Sequence, residues 1–125
     1  MSDIPSKIAL HRKRAELELQ YGDEAYCLGA EFLRVHSPSA EVQGHGPGQK
    51  KIPLNKSDVQ IERIEAQGNY AIRLFFDDGH SSGIYTWTYL RELAVNHTAL
   101  WQTYLQESQI EQQKLSGEQA IKWIE

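Results

Sequence analysis

A histidine and two aspartates stand together in Phe76-Asp-Asp-Gly-His80, and a carboxylate beside an imidazole can orient a metal ligand or raise the pKa of a general base. The same residues also serve a plainer purpose. Asp-Gly suits a tight hairpin tip for backbone reasons, and reading Asp78-Gly79 as a two-residue loop puts Asp77 directly opposite His80. On that register Tyr70, Ile72, Leu74 and Phe76 face Trp87, Tyr85, Gly83 and Ser81, so one face of the hairpin is expected to be aromatic and buried. An Asp77 to His80 pair then stabilises a turn without doing chemistry, and this structural reading is the commoner one for the motif.

His36, beside Ser37, is a second candidate ligand, and with His80 it would form a residual two-ligand site for zinc or iron. Such a site is weak, because most of the coordination shell is left to water. The run Gly44-His-Gly-Pro-Gly-Gln-Lys-Lys51 offers the amides of Gly44, Gly46 and Gly48, the imidazole of His45 and the ammonium groups of Lys50 and Lys51. That composition could hold an anion or contact a partner. It lacks P-loop spacing, and an exposed glycine-rich connection is the more ordinary explanation. Cys27 lies beside Leu28 with no base signalled nearby, which reads as a small buried hydrophobe. No His-x-Asp/Glu element supplies an iron dioxygenase triad. No catalytic residue is assigned, and the chain reads as a non-enzyme.

These residues depend on a simple set of elements. Ile8 and Leu10 alternate with polar neighbours, as do Ala15, Leu17, Leu19 and Tyr21 after the basic tip Arg12-Lys13-Arg14, which predicts a first hairpin. A short strand over Ala25 to Leu28 and a short helix over Ala30 to Val35 follow, with Ser37-Pro38 ending the helix and Pro38 opening another helical turn through Val42. Val59, Ile61 and Ile64 predict a further strand with a bulge after Ile61. The hairpin from Tyr70 to Trp87 comes next, then a helix over Thr88 to Val95 with Leu90 and Leu93 inward. A last helix is N-capped by Thr98 and buries Trp101, Tyr104 and Leu105, and Ser116-Gly117 interrupts it before Ala120, Ile121, Trp123 and Ile124. The pattern is α+β: a small, mainly antiparallel sheet built from hairpins, with helices packed on it. Phe75 falls on the opposite sheet face from Phe76, with Arg73 and Ile84, so the second face is partly apolar.

A chain of 125 residues fits one domain. A net charge of −4 argues against binding nucleic acid or anionic membranes through bulk charge. A single cysteine excludes an intramolecular disulfide and an all-thiolate metal site within one chain. No apolar run approaches the roughly 20 residues that cross a bilayer, and no signal peptide is legible. A cytoplasmic, soluble protein is expected.

Phe32-Leu-Arg34, Ser37-Pro-Ser-Ala-Glu-Val42, Gly44-His-Gly-Pro-Gly48, Gly68-Asn-Tyr-Ala71 and Phe76-Asp-Asp-Gly-His80 through Tyr85-Thr-Trp87, in this order and spacing, resemble the gamma-butyrobetaine hydroxylase-like N-terminal domain family. The resemblance covers roughly Pro5 to Leu105, which gives a domain over 1–105 and leaves 106–125 as a polar extension, partly helical or flexible. It implies a small non-catalytic α+β domain that occurs alone, fused before dioxygenase domains, or at the end of iron–sulfur carrier proteins. It also implies, in the hydroxylase branch, a zinc module of three cysteines after a Leu-Arg pair and one later histidine. Here those cysteine positions fall on Ser37, Ser39 and Val42, and only the histidine position, His80, keeps a good ligand. The expectation is an adaptor or protein-interaction module with no required cofactor, whose partner is an iron–sulfur or metal-dependent protein. The alternative is a zinc- or iron-binding domain with a degenerate site at His80.

Overall fold

The structure, a computed structural model, describes residues 3–39, 53 and 55–124, with side chains described as far as residue 113. The predicted turn from Pro38 to Val42 extends beyond residue 39 and the Gly44 to Lys51 loop lies wholly outside these residues, as do the side chains of Ala120, Ile121, Trp123 and Ile124.

The alternating segments form two antiparallel three-stranded sheets. The first comprises β1 (Lys7–His11), β2 (Glu16–Tyr21) and β3 (Glu24–Gly29), and the second β4 (Ile61–Gln67), β5 (Ala71–Phe76) and β6 (Ile84–Thr86), each in sequential order. Leu10 pairs with Leu17 and Leu17 with Leu28, so one apolar row crosses the first sheet. In the second, Ile64 pairs with Leu74, and Ile72 with Tyr85. The expected bulge lies between Ile61 and Arg63; Val59 is buried just ahead of the strand rather than in it.

Helix α1 (Ala30–Val35) follows β3 directly, while α2 (Trp87–Val95) and α3 (His97–Ile124) close the chain. Leu17, Leu19 and Leu28 from the first sheet, Phe32 and Leu33 from α1, Ile72, Leu74, Phe76 and Tyr85 from the second sheet, and Leu90 and Leu93 from α2 form one buried cluster. A single core therefore joins the two sheets.

Several local expectations are corrected. The hairpin tip is a three-residue loop, Asp77-Asp78-Gly79: the Phe76 amide donates to the His80 carbonyl at 2.9 Å and the Gly79 amide to the Phe76 carbonyl at 3.2 Å. Gly79 has φ +91°, the left-handed position that loops of this length require. His80 therefore faces Phe76, and Asp77 turns instead to the start of β4. There its amide donates to the Gln60 carbonyl and its carboxylate accepts from the Gln60 amide, both at 3.0 Å. The predicted register holds across β5 and β6, where Ala71, Ile72 and Arg73 pair with Thr86, Tyr85 and Ile84.

Tyr70 is 56% exposed, not part of the buried face. Cys27 is exposed as well, on β3. The N-cap of α2 is Thr86, whose hydroxyl accepts from the Tyr89 amide at 3.1 Å. Thr98 lies inside α3 rather than capping it, and the Leu100 amide donates to the Asn96 carbonyl at 3.0 Å to close the first turn. Ser116-Gly117 does not interrupt this helix, which runs for 28 residues. One glycine costs only about 1 kcal/mol relative to alanine inside a helix, too little to force a break. Tyr104 is buried as expected, but Leu105 is 48% exposed.

Burial sets an expected contrast in urea denaturation. Leu17→Ala or Leu74→Ala, both at 0% exposure, should each cost about 2–5 kcal/mol, and Leu105→Ala should stay within about 0.5 kcal/mol. Comparable losses at Leu105 would show that its helix face is covered.

Candidate functional site

Helix α1 has six residues, so its carbonyls run out of helical donors almost at once. The Phe32 and Arg34 carbonyls are met locally, by the His36 and Ser37 amides, and two further donors come from the other half of the chain. The Tyr85 hydroxyl, on β6, donates to the Leu33 carbonyl in the interior, and the Tyr89 hydroxyl, on α2, donates to the His36 carbonyl at 2.6 Å. Burial raises the pKa of both phenols, most strongly that of Tyr85, so each remains a protonated donor.

The residues following α1 continue the same contact. Ser37 Oγ and His80 Nε2 are 2.8 Å apart, and Ser39 Oγ lies 2.7 Å from Ser82 Oγ. The Ser39 amide also donates to Ser37 Oγ at 3.3 Å. Ser37 is fully buried and His80 nearly so. Gly83 is what allows the approach, since a Cβ there would stand 2.3 Å from Ser37 Oγ. His36 turns away from this cluster: its Nδ1 donates to the Phe32 carbonyl at 2.8 Å and its ring packs 4.5 Å from that of Phe32.

An ionic tie runs along the rim. Arg34 Nε and Lys56 Nζ both reach Asp78 Oδ2, at 2.8 and 2.7 Å, while Asp78 Oδ1 accepts from the His80 amide at 3.0 Å. Burial by itself would raise the Asp78 carboxyl, but hydrogen bonds from Lys56, the His80 amide and Arg34 outweigh it and hold the pKa down at about 2. Two cations on one carboxylate position the tip that carries His80.

Chemically, a serine oxygen 2.8 Å from an imidazole nitrogen has the spacing of a nucleophile and its base. Here Ser37 has no exposed surface and Gly83 lies over its hydroxyl, so the pair serves as a structural tie. The resemblance places the zinc-ligand positions at Ser37, Ser39, Val42 and His80; Val42 lies outside the described residues, and Ser37 does meet His80. However, hydroxyls do not fit a thiolate-rich zinc centre. Among the described residues no group of three or more His, Cys, Asp or Glu is arranged to hold a metal ion.

The geometry can now be set beside known proteins. Residues 8–91 match the family model described as gamma-butyrobetaine hydroxylase-like, N-terminal. The chain belongs to this family. Two structures solved by NMR in solution are similar to it. One is 53% identical with a TM-score of 0.74, covering 83% of this chain and 82% of its own. The other is 41% identical with a TM-score of 0.73, covering 90% and 86%. A crystal structure of a protein of unknown function from Acidithiobacillus ferrooxidans, assigned to the DUF971 family, is 32% identical with a TM-score of 0.62 and covers 74% and 93%. No curated protein matches the chain. The family thus confirms the resemblance and the α+β fold. Among the described residues no helix is long and apolar enough to cross a membrane.

The sequence singled out His80 correctly as a residue with a polar partner, but not which partner. Asp77, its predicted mate, bonds elsewhere, and Ser37, 43 positions away, takes that place. The roles of Tyr85 and Tyr89 as donors to α1 had no local signal, because aromatic residues at a hairpin end read first as core.

Two outcomes test the tie. Gly83→Ala should destabilise the protein, and Ser37→Ala should relieve part of that loss by removing the clashing oxygen. The double-mutant coupling should be about 1 kcal/mol or more, read by urea denaturation, and simple additivity would show that the two sites do not touch. Asp78→Asn should cost about 1–2 kcal/mol at neutral pH once solvent screening is allowed for. Because the folded carboxyl titrates at about 2 instead of near 3.8, that contribution is complete above about pH 4 and is lost as the pH falls toward 2. The gap between wild type and variant, followed by denaturation from pH 6 downward, should close over that window.

Proposed function

We propose that this chain is a non-enzymatic, cytosolic protein-interaction module. The observation that carries the reading is how the polar groups are used. The described groups best suited to acid–base or nucleophilic chemistry, Ser37, His80 and Asp78, are engaged in holding α1 against the second hairpin. The outer face of the second sheet, by contrast, carries side chains suited to recognition. Phe75 is flanked by two guanidinium groups, with Arg63 Cζ at 4.0 Å and Arg73 Cζ at 4.8 Å from the ring centroid, and Ile84 beside it is 39% exposed.

Arginine stacked on an aromatic ring loses little conformational freedom on binding, and both residue types are enriched at the energetic centres of interfaces. Arg73 is held further by donating from Nε to the Ser81 carbonyl. Glu65 on the same face pairs with Arg63 at 3.1 Å, so one positive charge remains in excess among Arg63, Arg73 and Glu65, and the face suits a partner that presents a carboxylate beside an apolar contact. The domain contexts implied by the family resemblance favour an iron–sulfur or metal-dependent protein as that partner.

Affinity capture from native lysate should recover a defined protein with the wild-type chain and lose it with Phe75→Glu or Ile84→Glu, while circular dichroism shows both variants folded. Capture indifferent to both substitutions would sink the assignment of this face. In the same preparations, made without a His tag, metal content should be substoichiometric and unaffected by His80→Ala; stoichiometric zinc or iron lost on that substitution would establish the metal-binding alternative instead.

A further inference from the structure

A cavity of about 310 Å³ lies between the first sheet and the start of α3, lined by residues that take no part in the tie around Ser37 and His80. This volume is at the small end of the range for ligand pockets. The lining includes the buried side chains of Phe32 and Val59. It is also aromatic on the helix side. His97 and Trp101, one turn apart on α3, lie nearly parallel with 6° between their planes and centroids 6.5 Å apart, and Phe32 approaches His97 at 4.5 Å and Trp101 at 6.2 Å.

Among the described residues the charged lining is one guanidinium against two carboxylates: Arg14, Glu16 and Glu31. Arg14 Nε is bonded to Glu16 Oε1 at 3.0 Å, which neutralises that pair. Glu31 remains as the excess charge, and the Tyr104 hydroxyl donates to its Oε2 at 2.8 Å, orienting the carboxylate. An ionised carboxylate has lone pairs for further donors. An apolar floor, an aromatic wall and one oriented negative charge match a cation carried on an apolar body, which gains from ring faces as well as from the carboxylate.

We propose that this cavity binds a small primary amine with an aromatic body, its ammonium on Glu31 and its ring against the partly exposed His97 and Trp101. The inference does not depend on the outer face of the second sheet, so either can fail alone. The test is a titration of the 15N-labelled full chain with 2-phenylethylamine, set against neutral 2-phenylethanol and anionic 3-phenylpropionate. Saturable shifts are expected at the amides of Ala30, Glu31 and Ser57 and at the Trp101 indole, with the amine bound at least about tenfold more tightly than the alcohol. The carboxylate should give no saturable shift. Glu31→Gln, which can still accept from Tyr104, should lower the amine's affinity to that of the alcohol while leaving the spectrum folded. Binding of the carboxylate as tight as that of the amine, full selectivity in Glu31→Gln, or no saturable shift with the amine would each overturn the proposal.

Discussion

The C-terminal carbonyls of helix α1 impose the constraint on which the structure turns. A helix of six residues leaves most of its last carbonyls without helical donors, and buried carbonyls must find others. The His36 and Ser37 amides meet the Phe32 and Arg34 carbonyls, and Tyr85 and Tyr89 supply donors to the carbonyls of Leu33 and of the C-cap His36 from β6 and α2. Because α1 ends the first half of the chain and both tyrosines belong to the second, satisfying this helix also locks the two sheets into one core. The contact is then extended by Ser37 with His80, Ser39 with Ser82, and Arg34 with Asp78.

This arrangement explains why residues that look chemical in the sequence are structural in the fold. His80 is buried against a hydroxyl, and a buried polar group needs such a partner more than it needs exposure to a substrate. Asp78 carries two cations and an amide, so its low pKa follows from its role as a brace at the tip. The resemblance to a zinc module and the observed geometry share one feature: the segment after α1 and the later hairpin meet. What joins them here is hydrogen bonding between side chains, with an ionic rim.

The second sheet buries Ile72, Leu74, Phe76 and Tyr85 on one side and displays Arg63, Phe75, Arg73 and Ile84 on the other. That two-sidedness follows directly from the period of two along a strand. It was already legible in the placement of Phe75 opposite Phe76, although only the coordinates show the ring flanked by both guanidinium groups.

Sequence alone determined the features that depend on near neighbours: six alternating segments, the short helix over Ala30 to Val35, the bulge after Ile61, and family membership through ordered motifs. It misjudged the hairpin tip because Asp-Asp-Gly satisfies both two- and three-residue loops, and the choice rests on the bonds Asp77 makes to Gln60, just ahead of β4. It broke α3 too early because a Ser-Gly pair disfavours helix only weakly. The partner of His80 was decided by tertiary structure alone. A hydroxyl 43 residues away leaves no periodic trace, and it comes within reach only when the carbonyls of α1, the tyrosine hydroxyls and the bare backbone of Gly83 pack together.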